Sequence, residues 1–181
     1  MALTDLPGVT LTDLTVREDG RGSFVETFRR SWLPTDPSFV QSNLSRSHAG
    51  VIRGLHFHRR QSDYWCLIEG RAFVALADLR VGSPTFREVR TAPFDAGEAM
   101  RGLFVPPGVA HGICAVSPIA LQYLVDAYFT GDDEFGVAWD DPELAVPWPV
   151  AGLGGDPTVS DRDRSNPSLD EVLRDPPAFG G

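Results

Sequence analysis

The chain holds four histidines, and two of them, His56 and His58, stand two residues apart in Gly50-Val51-Ile52-Arg53-Gly54-Leu55-His56-Phe57-His58-Arg59-Arg60. Side chains alternate along a strand, so a strand here turns both imidazoles to one face and Leu55 and Phe57 to the other. Arg53 lies in the same run, and a third histidine, His111, follows the turn-like Pro106-Pro107-Gly108-Val109-Ala110. One strand histidine is ordinarily structural; two on one wall beside an arginine suit acid–base chemistry on an anionic small molecule, because neutral imidazole is a competent base near pH 7.

Strands must position these groups. Runs rich in Val, Phe, Leu and aromatics recur at Val9–Val16, Gly22–Phe28, Phe39–Leu44, Val51–Phe57, Tyr64–Ile68, Ala72–Leu79, Gly102–Val105 and Ala120–Phe129. Gly, Pro, Asp and Ser separate them, and none carries a sustained helical stripe, which predicts an all-β sandwich or barrel. One helix is well signalled, near the end: Ser168 as N-cap with Glu171 three residues on forms a capping box, and Pro176 prevents the helix from continuing. Pro142 to Pro157 reads as an irregular arm wrapping the barrel.

At 181 residues, with no repeat or linker, a single domain over 1–181 is expected. The formal net charge of −9 argues against a nucleic-acid partner. No run reaches the roughly 18 apolar residues of a membrane span, so no membrane partner and a cytoplasmic location are expected. Cys66 and Cys114 read as buried free thiols. All 16 basic residues are Arg; without Lys, a protein Schiff base, including a pyridoxal-phosphate lysine, is excluded.

Seven blocks occur in order: Asp19-Gly20-Arg21-Gly22-Ser23-Phe24-Val25-Glu26-Thr27-Phe28, Gln41-Ser42-Asn43, Arg53-Gly54-Leu55-His56-Phe57, Ala77-Asp78-Leu79-Arg80, Ser83-Pro84-Thr85-Phe86, Pro107-Gly108-Val109-Ala110-His111-Gly112 and Trp139-Asp140-Asp141-Pro142. In these the chain resembles the dTDP-4-dehydrorhamnose 3,5-epimerases over nearly its whole length. The resemblance implies a double-stranded β-helix (a cupin or jelly-roll barrel) with a short C-terminal helix, a dTDP-sugar substrate, a homodimer, and neither cofactor nor metal. It implies that His56, paired with Asp163, removes a proton beside the C4 ketone of a dTDP-4-keto-6-deoxyhexose. Tyr123 then returns a proton from the other face. Arg21, Glu26, Gln41, Asn43, Arg53, His111, Glu134 and Arg162 match positions that hold the nucleotide sugar, and arginine's planar fork suits a diphosphate.

The pattern breaks in three places. Asp63 stands where the family carries a Lys near the developing oxyanion. A family Tyr appears as Phe129, with Tyr128 displaced by one residue and so expected on the other strand face. His58 replaces a frequent Gln, and His56, His58, Asp63 and His111 take the spacing of metal-binding cupins, whose imidazoles and carboxylate suit Zn, Fe or Mn. Epimerisation at C3, C5 or both, a metal-dependent cupin chemistry on those four residues, and a non-catalytic sugar-nucleotide binder are therefore the readings the sequence leaves open.

Overall fold

β-Branched and aromatic residues between turn formers set where the strands lie. A computed structural model describes residues 2–33, 35 and 37–178. Its strands are β1 (Thr10–Asp13), β2 (Val16–Asp19), β3 (Gly22–Val25), β4 (Gln41–Ser47), β5 (Ile52–Phe57), β6 (Asp63–Glu69), β7 (Arg71–Asp78), β8 (Val89–Asp95), β9 (Arg101–Val105), β10 (Val109–Ala115), β11 (Ile119–Val125) and β12 (Phe135–Gly136). The helices α1 (Asp161–Arg164) and α2 (Leu169–Val172) come after them. One sheet has the order β1-β9-β6-β11-β4, the other β12-β5-β10-β7-β8, and β2 and β3 make a separate hairpin. All pairings among these strands are antiparallel. The interleaving of early and late strands in both sheets is that of the expected jelly-roll barrel.

Two apolar clusters hold the barrel. Leu67, Val74, Leu76, Leu103, Ile113 and Leu121 meet between the sheets, closed off by the N-terminal Leu3 and Leu6. Leu55, Phe57, Ala75, Ala77 and Cys114 face outward, where Val137, Leu144, Trp148, Leu169 and Val172 of the C-terminal arm cover them. The second sheet is thus buried on both faces, which fixes β5 and β10 more firmly than strands with one wet face.

Four strands, β2, β8, β10 and the two-residue β12, escape the sequence pattern. β8 carries Pro93, which is tolerated because β8 is an edge strand and the missing N–H costs little there. β10 begins directly after the Pro-Pro-Gly turn and is rich in small residues. Their size is required: a Cβ on Gly112 would lie 3.0 Å from the Arg53 carbonyl oxygen and 3.1 Å from the Trp148 ring. β11 ends at Val125, short of the expected Phe129. The capping box forms as read, Ser168 Oγ accepting from Glu171 N and Glu171 Oε2 from Ser168 N. α1 lies outside the one helix read from the sequence and is capped by Ser160 Oγ, which accepts from Asp163 N.

Asp78, in one of the blocks that carried the resemblance, is structural. Fully buried, it accepts from Arg80 Nε (2.7 Å), Arg80 Nη2 (2.8 Å), Ser83 Oγ (2.5 Å) and Thr85 Oγ1 (2.7 Å). Burial works against its charge, yet these donors together hold the carboxyl below its ordinary value.

Candidate active site

A pocket of about 500 Å³ opens between the two sheets. Alternation along each strand decides which side chains enter it. From β4 come Gln41 and Asn43, bonded to each other through Gln41 Nε2 and Asn43 Oδ1 at 2.9 Å. Tyr123 enters from β11, Asp63 and Trp65 from β6, and His111 from β10.

β5 supplies His56 and Arg53, which are three residues apart and should face opposite ways on a regular strand. The ladder explains the difference. His111 pairs with His56 and Ile113 with Arg53, so β5 spends three residues where β10 spends two. That extra residue brings Arg53 back to the His56 side. Gly54 sits in the irregularity at φ +114°, and a Cβ there would lie 2.6 Å from the His111 carbonyl oxygen.

His56 Nε2 lies 2.7 Å from Asp163 Oδ1, and the other carboxylate oxygen accepts from Gly54 N–H at 3.2 Å. Asp163 is 4% exposed; burial opposes its charge, but the bonds from His56 and Gly54 prevail and hold its carboxyl below the ordinary value. An ionised carboxylate only accepts, so Nε2 carries the hydrogen and Nδ1 keeps the lone pair of the neutral ring. Tyr123 stands on the opposing sheet. Burial, reinforced by Asp63 and Glu134 against the pull of Arg53, pushes its phenol up and keeps the proton on it.

Arg53 Nε donates to Ser47 Oγ at 2.9 Å, and Arg162 Nη1 pairs with Glu134 Oε1 at 2.5 Å. Both arginines are exposed at the pocket, where they can meet an anion. Of the residues expected in the site, His56, Tyr123, Asp163, Gln41, Asn43, Arg53, His111, Glu134 and Arg162 line this one pocket. Arg21 and Glu26 do not. Arg21 is paired with Asp19 on the exposed β2–β3 hairpin, and Glu26 just beyond it is paired with Arg29, so neither reaches the pocket of its own chain. Phe129, not Tyr128, lines the pocket, but both lie beyond the end of β11, so the strand alternation expected to separate them does not apply.

Asp63 does face the pocket. Its oxygens accept from Gln61 Nε2 (2.8 Å) and from Trp65 Nε1 (3.1 Å), and each lies 3.7 Å from the Nε2 of a histidine, His58 or His111. Burial drives the His111 imidazole down to about 4, with Asp63 resisting, so that ring is neutral near pH 7. The four-residue metal set is not assembled, because His56 is turned to Asp163; the cluster that forms is His58, Asp63 and His111. Gln61 and Trp65 were not singled out from sequence, although Trp65 shares the Asp63 face two residues along β6 and was open to the alternation argument.

Barrel and pocket together define a cupin-type protein with a His–Asp pair facing a tyrosine. The chain belongs to the dTDP-4-dehydrorhamnose 3,5-epimerase family, whose sequence profile it matches over residues 3–171. It is 36% identical to the dTDP-4-dehydrorhamnose 3,5-epimerase of Mycobacterium tuberculosis over 182 residues, covering 93% of this chain and 86% of that one. A longer relative of the same name from Neisseria gonorrhoeae is 37% identical over 153 residues, 81% of this chain and 46% of that one. Among solved structures, a dTDP-6-deoxy-D-glucose-3,5-epimerase from Legionella pneumophila, in complex with dTDP-4-keto-L-rhamnose, superposes with a TM-score of 0.89 at 29% identity, covering 99% and 98% of the two chains. A 3′-monoepimerase from Streptomyces bikiniensis, in complex with dTDP-quinovose, does so with a TM-score of 0.86 at 27% identity, covering 96% and 90%.

Proposed function

We propose that this protein epimerises a dTDP-4-keto-6-deoxyhexose next to its C4 ketone. The observation that carries the reading is the His56–Asp163 pair on one wall with Tyr123 on the facing sheet. His56 Nδ1 takes the proton from the carbon beside the ketone, and the electrons of that C–H bond pass to the ketone oxygen as an enolate. Asp163 stabilises the imidazolium so formed. Tyr123 delivers a proton to the same carbon from the other face, which inverts the centre; a proton returned by the base would regenerate the substrate. Arg53 and Arg162 suit the diphosphate.

Relatives named as 3,5-epimerases and one named a 3′-monoepimerase share the fold, so the position inverted is C3, C5 or both. Incubation with dTDP-4-keto-6-deoxyglucose in D₂O tests this: deuterium at C3, C5 or both identifies the carbon, and His56→Asn should abolish the exchange while dTDP binding persists. Full exchange in His56→Asn would overturn the assignment, and dTDP binding without any exchange in the native protein would make it a non-catalytic binder.

A homodimer belongs to the same proposal. Phe24 on the β2–β3 hairpin and Leu44 on the edge strand β4 are large apolar residues left 69% and 59% exposed, a pattern that suits a second copy. The free, buried Cys66 and Cys114 fit a reducing compartment such as the cytoplasm. Light scattering coupled to size exclusion tests the dimer directly.

A further inference from the structure

His58, Asp63 and His111 are each less than 9% exposed, and one ligand atom of each lies within 4.8 Å of the others. Backbone carbonyls fix both imidazoles from behind. His58 Nδ1 lies 2.6 Å from the Asp133 oxygen, and His111 Nδ1 lies 3.0 Å from the Val109 oxygen. A carbonyl can only accept, so both Nδ1 atoms carry the hydrogen, and in the neutral rings each Nε2 is left with a lone pair. Both lone-pair nitrogens are turned toward the carboxylate of Asp63, each 3.7 Å from one of its oxygens.

Three electron-pair donors converging in a buried space repel one another unless something positive lies among them. Nearby N–H groups meet this need only in part. Trp65 Nε1 and the Gln61 amide donate to Asp63, and the same amide is 3.1 Å from His58 Nε2. His111 lines the pocket, and the hydrogen bond that fixes its ring is the one from Nδ1 to Val109. The outer contacts are those that orient metal ligands: a carbonyl behind each imidazole and N–H donors on the carboxylate, whose oxygens each keep a further lone pair.

We propose that His58 Nε2, His111 Nε2 and the Asp63 carboxylate bind a divalent transition-metal ion on the pocket wall. Two imidazoles and one carboxylate suit Zn²⁺, Fe²⁺, Co²⁺ or Mn²⁺ rather than Mg²⁺ or Ca²⁺, which prefer all-oxygen sets. Bonds of about 2.0–2.2 Å place tetrahedral ligand atoms roughly 3.4 Å apart, so the three atoms, which lie within 4.8 Å of one another, must draw together by side-chain rotation when the ion binds. Gln61 is the group that must yield; turning its amide over presents its oxygen to the ion in place of its NH₂. His56 is held by Asp163 and remains free to act as the base. All three ligands line the pocket, so a bound cation restores positive charge to the wall where Asp63 stands in place of a lysine. That consequence rests on the epimerase reading; the binding itself does not.

The test titrates chelator-treated full-length protein with Co²⁺, followed by visible d–d absorption, and counts bound Zn²⁺ by elemental analysis after dialysis. One ion per chain, with a Kd of about 1 μM or tighter, is expected. Asp63→Asn and His58→Gln, each checked for folding by circular dichroism, should each weaken binding by more than the roughly 10–100-fold that a supporting residue is worth. His56→Asn should leave it unchanged. Absence of stoichiometric binding overturns the proposal, as does binding that survives in both ligand variants. Deuterium exchange on the dTDP-sugar is measured on the same samples. Metal binding without exchange in the native protein refutes the epimerase reading alone; exchange without metal binding refutes the metal site alone.

Discussion

Replacing Asp163 by Asn tests the base assignment most sharply, because two hydrogen bonds constrain what the amide can do. The carboxylate now accepts from His56 Nε2 at 2.7 Å and from Gly54 N–H at 3.2 Å. An amide has one oxygen and one NH₂, so it can accept from only one of these partners. With its oxygen toward His56, its NH₂ confronts the buried Gly54 N–H, and a donor left without an acceptor costs about 1–3 kcal/mol. With its oxygen toward Gly54, its NH₂ donates to His56 Nε2, which forces the ring hydrogen onto Nδ1 and removes the lone pair proposed as the base. The second arrangement is favoured roughly 5- to 150-fold by that difference. Loss of the negative charge opposite the forming imidazolium adds to the defect. Together they predict a fall in exchange of about 10²–10⁴-fold with the fold intact. The assay is deuterium incorporation beside the ketone, and nitrogen-resolved NMR of the His56 ring reports the tautomer. A folded Asp163→Asn protein that exchanges at the native rate, or that keeps its hydrogen on Nε2, would refute the reasoning.

Tyr123→Phe should let His56 still remove and exchange the α-proton while net inversion falls by about 10²–10⁴-fold, which product analysis by NMR separates from wash-in. Gly54→Ala should destabilise the barrel by roughly 2–6 kcal/mol in urea unfolding, combining the positive φ of +114° with a Cβ placed 2.6 Å from a backbone oxygen. Asp78→Asn should cost about 3 kcal/mol at neutral pH, since it breaks a buried ion pair. Because the folded state holds the Asp78 carboxyl below its ordinary 3.8, the unfolded chain binds the proton more readily. Its stabilisation is therefore complete above that value and is lost as pH falls through the lowered one. Thermal melts of native and Asp78→Asn protein should converge in that acid window; a gap that widens there would contradict the sign.

Much of this protein follows from neighbours along the chain. Alternation in Leu55-His56-Phe57-His58 separates an apolar face from an imidazole face, and both faces are realised, one under the C-terminal arm and one in the pocket. The Ser168–Glu171 capping box is equally local and formed as read. Strand periods and caps are decided within a few residues, which is why composition and spacing reveal them. Other features depend on which distant segments lie side by side. Asp163 meets His56 across 107 residues because α1 packs against β5. Arg53 joins the pocket only through the extra residue in the β5–β10 ladder, which no period of two foretells. Arg21 and Glu26 share the sequence signal of the pocket residues yet stay outside it, one paired with Asp19 on the exposed hairpin and the other with Arg29 just beyond it. Asp63, alone in sequence a puzzling replacement for a lysine, acquires two imidazoles as neighbours only when the ends of β5, β6 and β10 come together. Sheet pairing is a long-range choice, made by burial of both faces at once, and that choice determined the chemistry of the pocket.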